Sequence, residues 1–290
     1  MGSHNFCWLD WCFSGYDESK VVVVPVGFEG TVTYGKGSGN GAAAIIEASG
    51  NMELYDEECG VNPSEKGIHT VDAVKVSSKG VLKVIEEVRG VVEKAVCDGK
   101  FPVVLGGEHT VCLGGIKGMK GEFSVLCIDA HADLRDKFDG SKYNHACVMR
   151  RAFEFCGHVV LAGVRSLCEE EREFIDDEKI CVFYARDMVD GRDWISKVVD
   201  SLRDDVYVSF DVDALDPSFM PATGTPEPGG VSYYDVIALL LEVAKRRRIV
   251  GFDVVELAPV ENLRFCEYTA AKIVYKLLAY REFYGGRHKY

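Results

Sequence analysis

Four short clusters of acids and imidazoles carry the chemistry available to this 290-residue chain. They are Gly106-Gly107-Glu108-His109, Asp129-Ala130-His131-Ala132-Asp133, Asp211-Val212-Asp213 closed by Asp216-Pro217, and Val255-Glu256-Leu257-Ala258-Pro259. Asp129, His131 and Asp133 stand at i, i+2 and i+4, a spacing that in extended backbone puts all three on one face. Asp211 and Asp213 share a face by the same rule, whereas a helix would set residues two apart on different sides. Four aspartates and two histidines brought together repel unless cations compensate them. Two divalent ions supply the charge that cancels four carboxylates. An oxygen-rich set with two imidazoles suits Mn²⁺ better than a thiolate-type Zn²⁺ site, with Co²⁺ or Ni²⁺ able to substitute. Two such ions roughly 3.5 Å apart can bridge a water and ionise it near neutral pH. The expectation is a binuclear centre with His109, Asp129, His131, Asp133, Asp211 and Asp213 as ligands.

Each cluster directly follows a short apolar run, and those runs set where it lies. Strands are expected at Lys20–Val26, Pro102–Leu105, Phe123–Ile128, His158–Ala162, Lys179–Tyr184, Val206–Phe210 and Ile249–Val254. Most are continuously apolar rather than alternating, as parallel strands covered on both faces are. Helical periodicity lies between them. It is clearest over Val81–Val96, with Gly99 as a stop, and recurs over Arg192–Leu202, Tyr234–Lys245 and Glu267–Phe283. Alternating strand and helix means βαβ units, an α/β fold with one parallel sheet and helices on both faces. No repeat, low-complexity tract or linker divides the chain, so one domain over residues 1–290 is expected. Tyr34–Gly41 and Asp216–Gly230 read as long loops. Ligands in such sheets collect at the carboxyl ends of the strands, where all four clusters lie.

Composition removes other classes. With 33 basic against 46 acidic residues the formal charge is −13, which disfavours nucleic acid and anionic membrane as partners. No apolar stretch approaches the ~20 residues of a membrane span, and the first residues lack a basic segment followed by an apolar core, so a cytoplasmic protein is expected. Eleven cysteines without a close CxxC pair read as reduced thiols, not a zinc ribbon, and Cys112 and Cys127 as small core residues. Gly35–Gly39 lacks the spacing and the Lys-Ser/Thr of a phosphate loop. Arg246-Arg247-Arg248 closes a helix, where its dipole favours cations. His69, His158 and His288 have no partner pattern and receive no role.

The motifs GGEH (106–109), DAHAD (129–133), SFDVDALDP (209–217) and VELAP (255–259), in this order, resemble those of the ureohydrolase (arginase/agmatinase) family. The resemblance runs over nearly the whole chain. It implies a three-layer α/β/α sandwich around an eight-stranded parallel sheet, two Mn²⁺ per subunit, and a homo-oligomer, trimer or hexamer. Among the ligands, Asp129 and Asp211 would be the bridging carboxylates. The substrate is then a small cationic guanidine, which the acidic surplus helps attract.

Positions outside the metal motifs bear on which guanidine. Arg135 stands where arginases carry an Asn of their carboxylate clamp, and Cys168 where they carry an acid for the α-amino group. Asn144-His145-Ala146-Cys147 and the stretch from Ala222 to Gly230 look like agmatinase. Gly39–Ala44 and Val260-Glu261-Asn262 depart from the agmatinase pattern, so an aminopropyl-agmatine is an alternative substrate. The expected products are urea and a diamine, putrescine in the case of agmatine. Glu256 would grip the guanidinium by a charge-assisted contact, Asp133 would pass a proton to the leaving amine, and His145 would exchange protons with solvent. Glu169 and Glu170 are candidates for the distal amine. Arginase, guanidinobutyrase and formiminoglutamase activities stay open within the family. Outside it stand a binuclear phosphoesterase, which would want basic residues at these strand ends, and a metal-binding pseudoenzyme.

Overall fold

The computed structural model describes residues 5–74 and 80–285; His288 lies outside them. Eight strands form the sheet: β1 Val21–Pro25, β2 Ile68–Thr70, β3 Phe101–Leu105, β4 Ser124–Ile128, β5 Val159–Val164, β6 Cys181–Tyr184, β7 Asp205–Asp211 and β8 Arg248–Val255. Their order is β2-β1-β3-β8-β7-β4-β5-β6, and every pairing is parallel. The helices are α1 Trp11–Ser14, α2 Gly41–Ser49, α3 Val81–Cys97, α4 Cys112–Gly118, α5 Val148–Cys156, α6 Glu169–Glu178, α7 Asp193–Asp200, α8 Tyr233–Arg246 and α9 Phe265–Gly285. The chain has the arginase-like three-layer arrangement.

Two apolar layers explain why the strand runs are continuously hydrophobic. Val21, Val23, Leu126, Ile128, Val206, Val208 and Phe210 pack under α2, α7, α8 and α9. Their alternates Val22, Val24, Val125, Cys127 and Tyr207 pack under α3, α4, α5 and α6. Neither side of a central strand reaches water, so both are mostly apolar, and the buried polar residues Ser209 and Asp253 are bonded to each other. The first expected loop ends in a 3-10 turn at Ser38–Asn40 and the start of α2 at Gly41, while the second runs on to α8 at Tyr233.

Register decides where the clusters emerge. Leu105 pairs with Val254, Val254 with Phe210, and Phe210 with Ile128, so these four residues form one row across the sheet. The four motif-bearing strands are therefore the four central neighbours, β3, β8, β7 and β4, ending at one level about 4.8 Å apart. Gly107 then lets the segment after β3 run against the loop after β1: Gly107 N–H donates to Val26 O (2.8 Å) and Glu108 N–H to Phe28 O (2.9 Å). A Cβ at Gly107 would lie 1.9 Å from Phe28 O, a backbone atom that cannot swing aside. Gly107→Ala should therefore destabilise the protein by about 3 kcal/mol, as overpacking does when backbone must move. Urea unfolding checks this; an unchanged midpoint would mean that the two loops are not pinned together.

Candidate metal centre

The strands stop short of the acids. β4 ends at Ile128 and β7 at Asp211, so Asp129–Asp133 and Val212–Ala214 are not the extended segments that the spacing suggested. Convergence is achieved instead by turns that the acids themselves cap. Asp129 Oδ1 accepts the N–H of His131 (2.6 Å), and Asp211 Oδ1 accepts that of Asp213 (2.9 Å). One oxygen of each carboxylate is thus spent on its turn, and the other faces the centre. Asp213 Oδ1 accepts Ala130 N–H (3.1 Å), which ties the motif after β7 to that after β4. Asp133 and Glu256 both hold left-handed backbone, at φ of 52° and 62°, a conformation a non-glycine residue adopts at a cost. The Asp133 carbonyl accepts Met149 N–H (2.9 Å) at the start of α5, and Glu256 N–H donates to Gly107 O (2.8 Å). Across the gap between β3 and β8, Glu256 Oε1 accepts His109 N–H (2.6 Å).

All six expected ligands meet. His109 Nδ1 lies 3.1 Å from Asp129 Oδ2, 3.1 Å from Asp133 Oδ2 and 3.5 Å from Asp211 Oδ2. His131 Nδ1 lies 2.9 Å from Asp213 Oδ2 and 3.6 Å from Asp129 Oδ1. The hydrogen-bond chain behind His109 tests whether a cation belongs here. Ser209 Oγ donates its only proton to Asp253 Oδ1 (2.8 Å), so toward His109 Nε2, 3.0 Å away, it accepts. Nε2 then carries a ring proton, and Nδ1, whenever it is itself unprotonated, turns its lone pair toward three carboxylate oxygens. That buried Nδ1 makes no hydrogen bond. A lone pair aimed at anions is repulsive unless a positive charge lies between them, and the residues fit a divalent cation.

Without such a cation, protons relieve the field. Burial opposes charge on His131, but its bonds to Asp129 and Asp213 outweigh this and raise its pKa to about 12. His109 is likewise raised, against its burial, by Cys112 and then the carboxylates it faces. Burial first, then neighbouring acids, push Asp133, Asp211 and Asp213 upward. Burial would raise Asp129 too, but the close approach of both histidines holds it below the usual carboxylate range. Burial takes Glu256 up to about 8. Cys127, read from sequence as a core residue, also approaches the centre, with Sγ 3.7 Å from Asp129 Oδ2. Burial and that aspartate raise its thiol, which makes it a poor ligand.

A cavity of about 220 Å³ opens over these groups, lined by His131, Asp133, Asp211, Asp213 and Glu256 at its floor. Its mouth is formed by Tyr34, Arg135, Phe138, His145, Leu167 and Thr225. Arg135 lays its guanidinium 5.0 Å from the centre of the Phe138 ring. Glu169 and Glu170, the expected partners of a distal amine, do not line it; Glu171 does. The helix explains the change. Cys168 caps α6, and Glu171 folds back to accept the N–H of Cys168 (2.8 Å) and of Leu134 (2.9 Å), while Glu170 bonds Asp136 N–H outside. Arg165, to which sequence assigned no role, donates to the carbonyls of Asp213 (2.7 Å) and Glu227 (3.0 Å) and so joins two site loops. His69 and His158 each bond a backbone carbonyl, of Ser14 and Ser201, away from the centre.

Known proteins resemble this chain over most of its length. The model of the Arginase family matches residues 19–279. The chain belongs to the arginase family. An N(1)-aminopropylagmatine ureohydrolase of Synechocystis is 39% identical, covering 92% of this chain and 90% of that protein. An agmatinase of Pyrococcus horikoshii is 35% identical, covering 90% of this chain and 92% of that one. The solved agmatine ureohydrolase of Thermoplasma volcanium superposes with a TM-score of 0.88 at 35% identity, over 95% of this chain and 94% of that one. In sequence it is similar to an aminopropylagmatine ureohydrolase and to an agmatinase, and in fold to an agmatine ureohydrolase.

The protonation pattern predicts how a cation binds. A proton on His109, His131 or Asp211 must leave before the group can donate a lone pair to a metal. All three are raised, and His131, at about 12, holds its proton at neutral pH, so Mn²⁺ binding should release protons and tighten as pH rises. Calorimetric titration in two buffers of different ionisation enthalpy counts the protons. Binding with none released would contradict this ligand set.

Proposed function

We propose that the protein hydrolyses agmatine to urea and putrescine with two Mn²⁺ per subunit. Support comes above all from the buried lone pair of His109, directed at three carboxylates in a family that removes urea from guanidines. His109, Asp129, His131, Asp133, Asp211 and Asp213 would hold the ions. When bound, the pair supplies a water ionised near neutral pH.

The chain's own residues do the rest. Glu256, at the cavity floor with one oxygen on His109 N–H, offers its other oxygen to the substrate guanidinium. A cation alongside favours the ionised form, so substrate binding takes the proton off a carboxyl that burial had raised. The planar carbon of the guanidinium is thereby turned toward the acids that ring the centre. As a water oxygen bonds to this carbon and its bond to the alkyl-bearing nitrogen breaks, Asp133 passes a proton of that water to the nitrogen, which leaves as the amine. His145, half-buried at the mouth, returns a proton from solvent. The carboxylates of the cavity favour a cationic substrate, with Arg135 the opposing charge at its mouth.

A second reading has N(1)-aminopropylagmatine as the substrate, favoured by the 39% identity to the Synechocystis enzyme of that name. We further propose a single domain, a homo-oligomer (trimer or hexamer) and a cytoplasmic location. Among the described residues no helix is long and apolar enough to cross a membrane.

Urea release from the Mn²⁺-loaded protein tests the assignment, with agmatine, N(1)-aminopropylagmatine, arginine and 4-guanidinobutyrate offered in parallel. Agmatine or its aminopropyl derivative should be turned over best. If guanidinobutyrate or arginine wins, Arg135 is reading a carboxylate and the substrate proposal fails. If none releases urea, the activity itself is wrong. Glu256→Gln should lower kcat/KM for agmatine by about 100-fold, the worth of one charge-assisted contact. A loss below about threefold would remove Glu256 from guanidinium binding.

A further inference from the structure

An imidazole that trades protons at one nitrogen needs its other nitrogen committed, because only then is the tautomer defined. Building on the proton-carrying role of His145 proposed above, we propose that Thr31, anchored by Glu108, is a positioning residue that holds His145 in its Nδ1–H tautomer. Nε2 is then the nitrogen that exchanges the proton.

The hydrogen-bond count around Glu108 leads to this assignment. Its carboxylate is fully buried, and four groups surround it. Oε2 accepts the N–H of Gly30 (2.7 Å) and of Thr31 (2.6 Å). Oε1 accepts the hydroxyls of Thr31 (2.7 Å) and Thr110 (2.8 Å). The single proton of the Thr31 hydroxyl is therefore committed to Glu108, and only lone pairs of Oγ1 remain. Two groups of His145 face them: its backbone N–H at 3.2 Å and its ring Nδ1 at 3.2 Å. An amide N–H can only donate. The ring nitrogen completes the set only by donating as well, so Nδ1 carries a proton. Phe138 meets the imidazole edge-on, with centroids 6.1 Å apart and planes at 79°, on the cavity side of the loop. In the neutral ring Nε2 is left as the acceptor, on a residue that lines the cavity with Asp133 and Glu256.

The arrangement spans three motifs. Glu108 precedes His109, whose own N–H is bound to Glu256. A single turn after β3 thus sets one metal-ligand candidate, the guanidinium-binding candidate and, through Thr31, the proton carrier. Thr31 lies in the loop after β1, and His145 in the loop after β4. No spacing in the sequence relates the two.

A double-mutant cycle on Mn²⁺-loaded protein distinguishes positioning from mere packing. Thr31→Val keeps the shape and removes the hydroxyl; Thr31→Ser keeps the hydroxyl. His145→Ala should lower kcat on the order of 100-fold, as loss of a general acid–base group does. Thr31→Val should lower kcat about tenfold, the worth of one hydrogen bond, with KM for agmatine nearly unchanged. Thr31→Ser should restore most of that loss. In the His145→Ala background Thr31→Val should lower kcat no further, because the imidazole through which it acts is gone, while the residue-145 amide loses its acceptor in either background. Thr31→Ala serves in the same cycle if the valine disturbs folding. Additive losses, a silent Thr31→Val, or failure of Thr31→Ser to rescue would overturn the positioning role. A silent His145→Ala would instead remove the proton-carrying role of His145, and the positioning role with it.

Discussion

Six ligand-type side chains, four of them aspartates, are drawn out of water to one point at the end of a parallel sheet, and the rest of the structure answers the resulting charge problem. Asp129, Asp211 and Asp213 are almost wholly buried, and Asp133 nearly so. Such a group of carboxylates is intolerable as bare charge. Among the described residues no lysine or arginine stands at the cavity floor to neutralise them, and Arg135 lies at its mouth. Protons or cations must do so, and the His109 lone pair marks where a cation belongs.

Holding the carboxylates in place falls to backbone amides rather than to cationic side chains. The first aspartate of each motif caps its own turn, Asp213 reaches across to Ala130, and Glu256 reaches across to His109. Each such bond orients one oxygen and frees the other without adding charge. The left-handed backbone at Asp133 and Glu256 is part of the same solution, since an extended chain would carry these side chains on past the site. Strain there is held by the contacts around it, the α5 amides on Asp133 and the Gly107 carbonyl at Glu256.

Much of this could be seen in the residues alone, and the exceptions have physical causes. Seven strands were visible, six because both faces are largely covered, which makes their runs apolar, and the half-exposed edge strand β6 because Cys-Val-Phe-Tyr is itself an apolar run. β2 was not, because three residues, Ile-His-Thr at the sheet edge, carry no such pattern. α4 was missed because its stretch is rich in glycine, which lets Gly114 sit against Val88 and Gly115 against Tyr207. A propensity argument sees only the cost of those glycines, not the close packing they allow. At α6 three consecutive glutamates are alike in sequence, and only the capping turn selects Glu171 over Glu169 and Glu170.

By itself the sequence determined the inventory: which strands end in ligand-type side chains, and that acids and imidazoles in those numbers call for divalent cations. Residue type decides charge and donor chemistry, and these survive any folding. Which strands are neighbours belonged to the tertiary structure, for β3, β8, β7 and β4 are adjacent in space but not in chain order. So did the register that levels their ends, and the hydrogen bonds that join Glu108 to Thr31 and His145. Directions of lone pairs and protons depend on atoms brought together from distant parts of the chain, and local spacing has no means to express them.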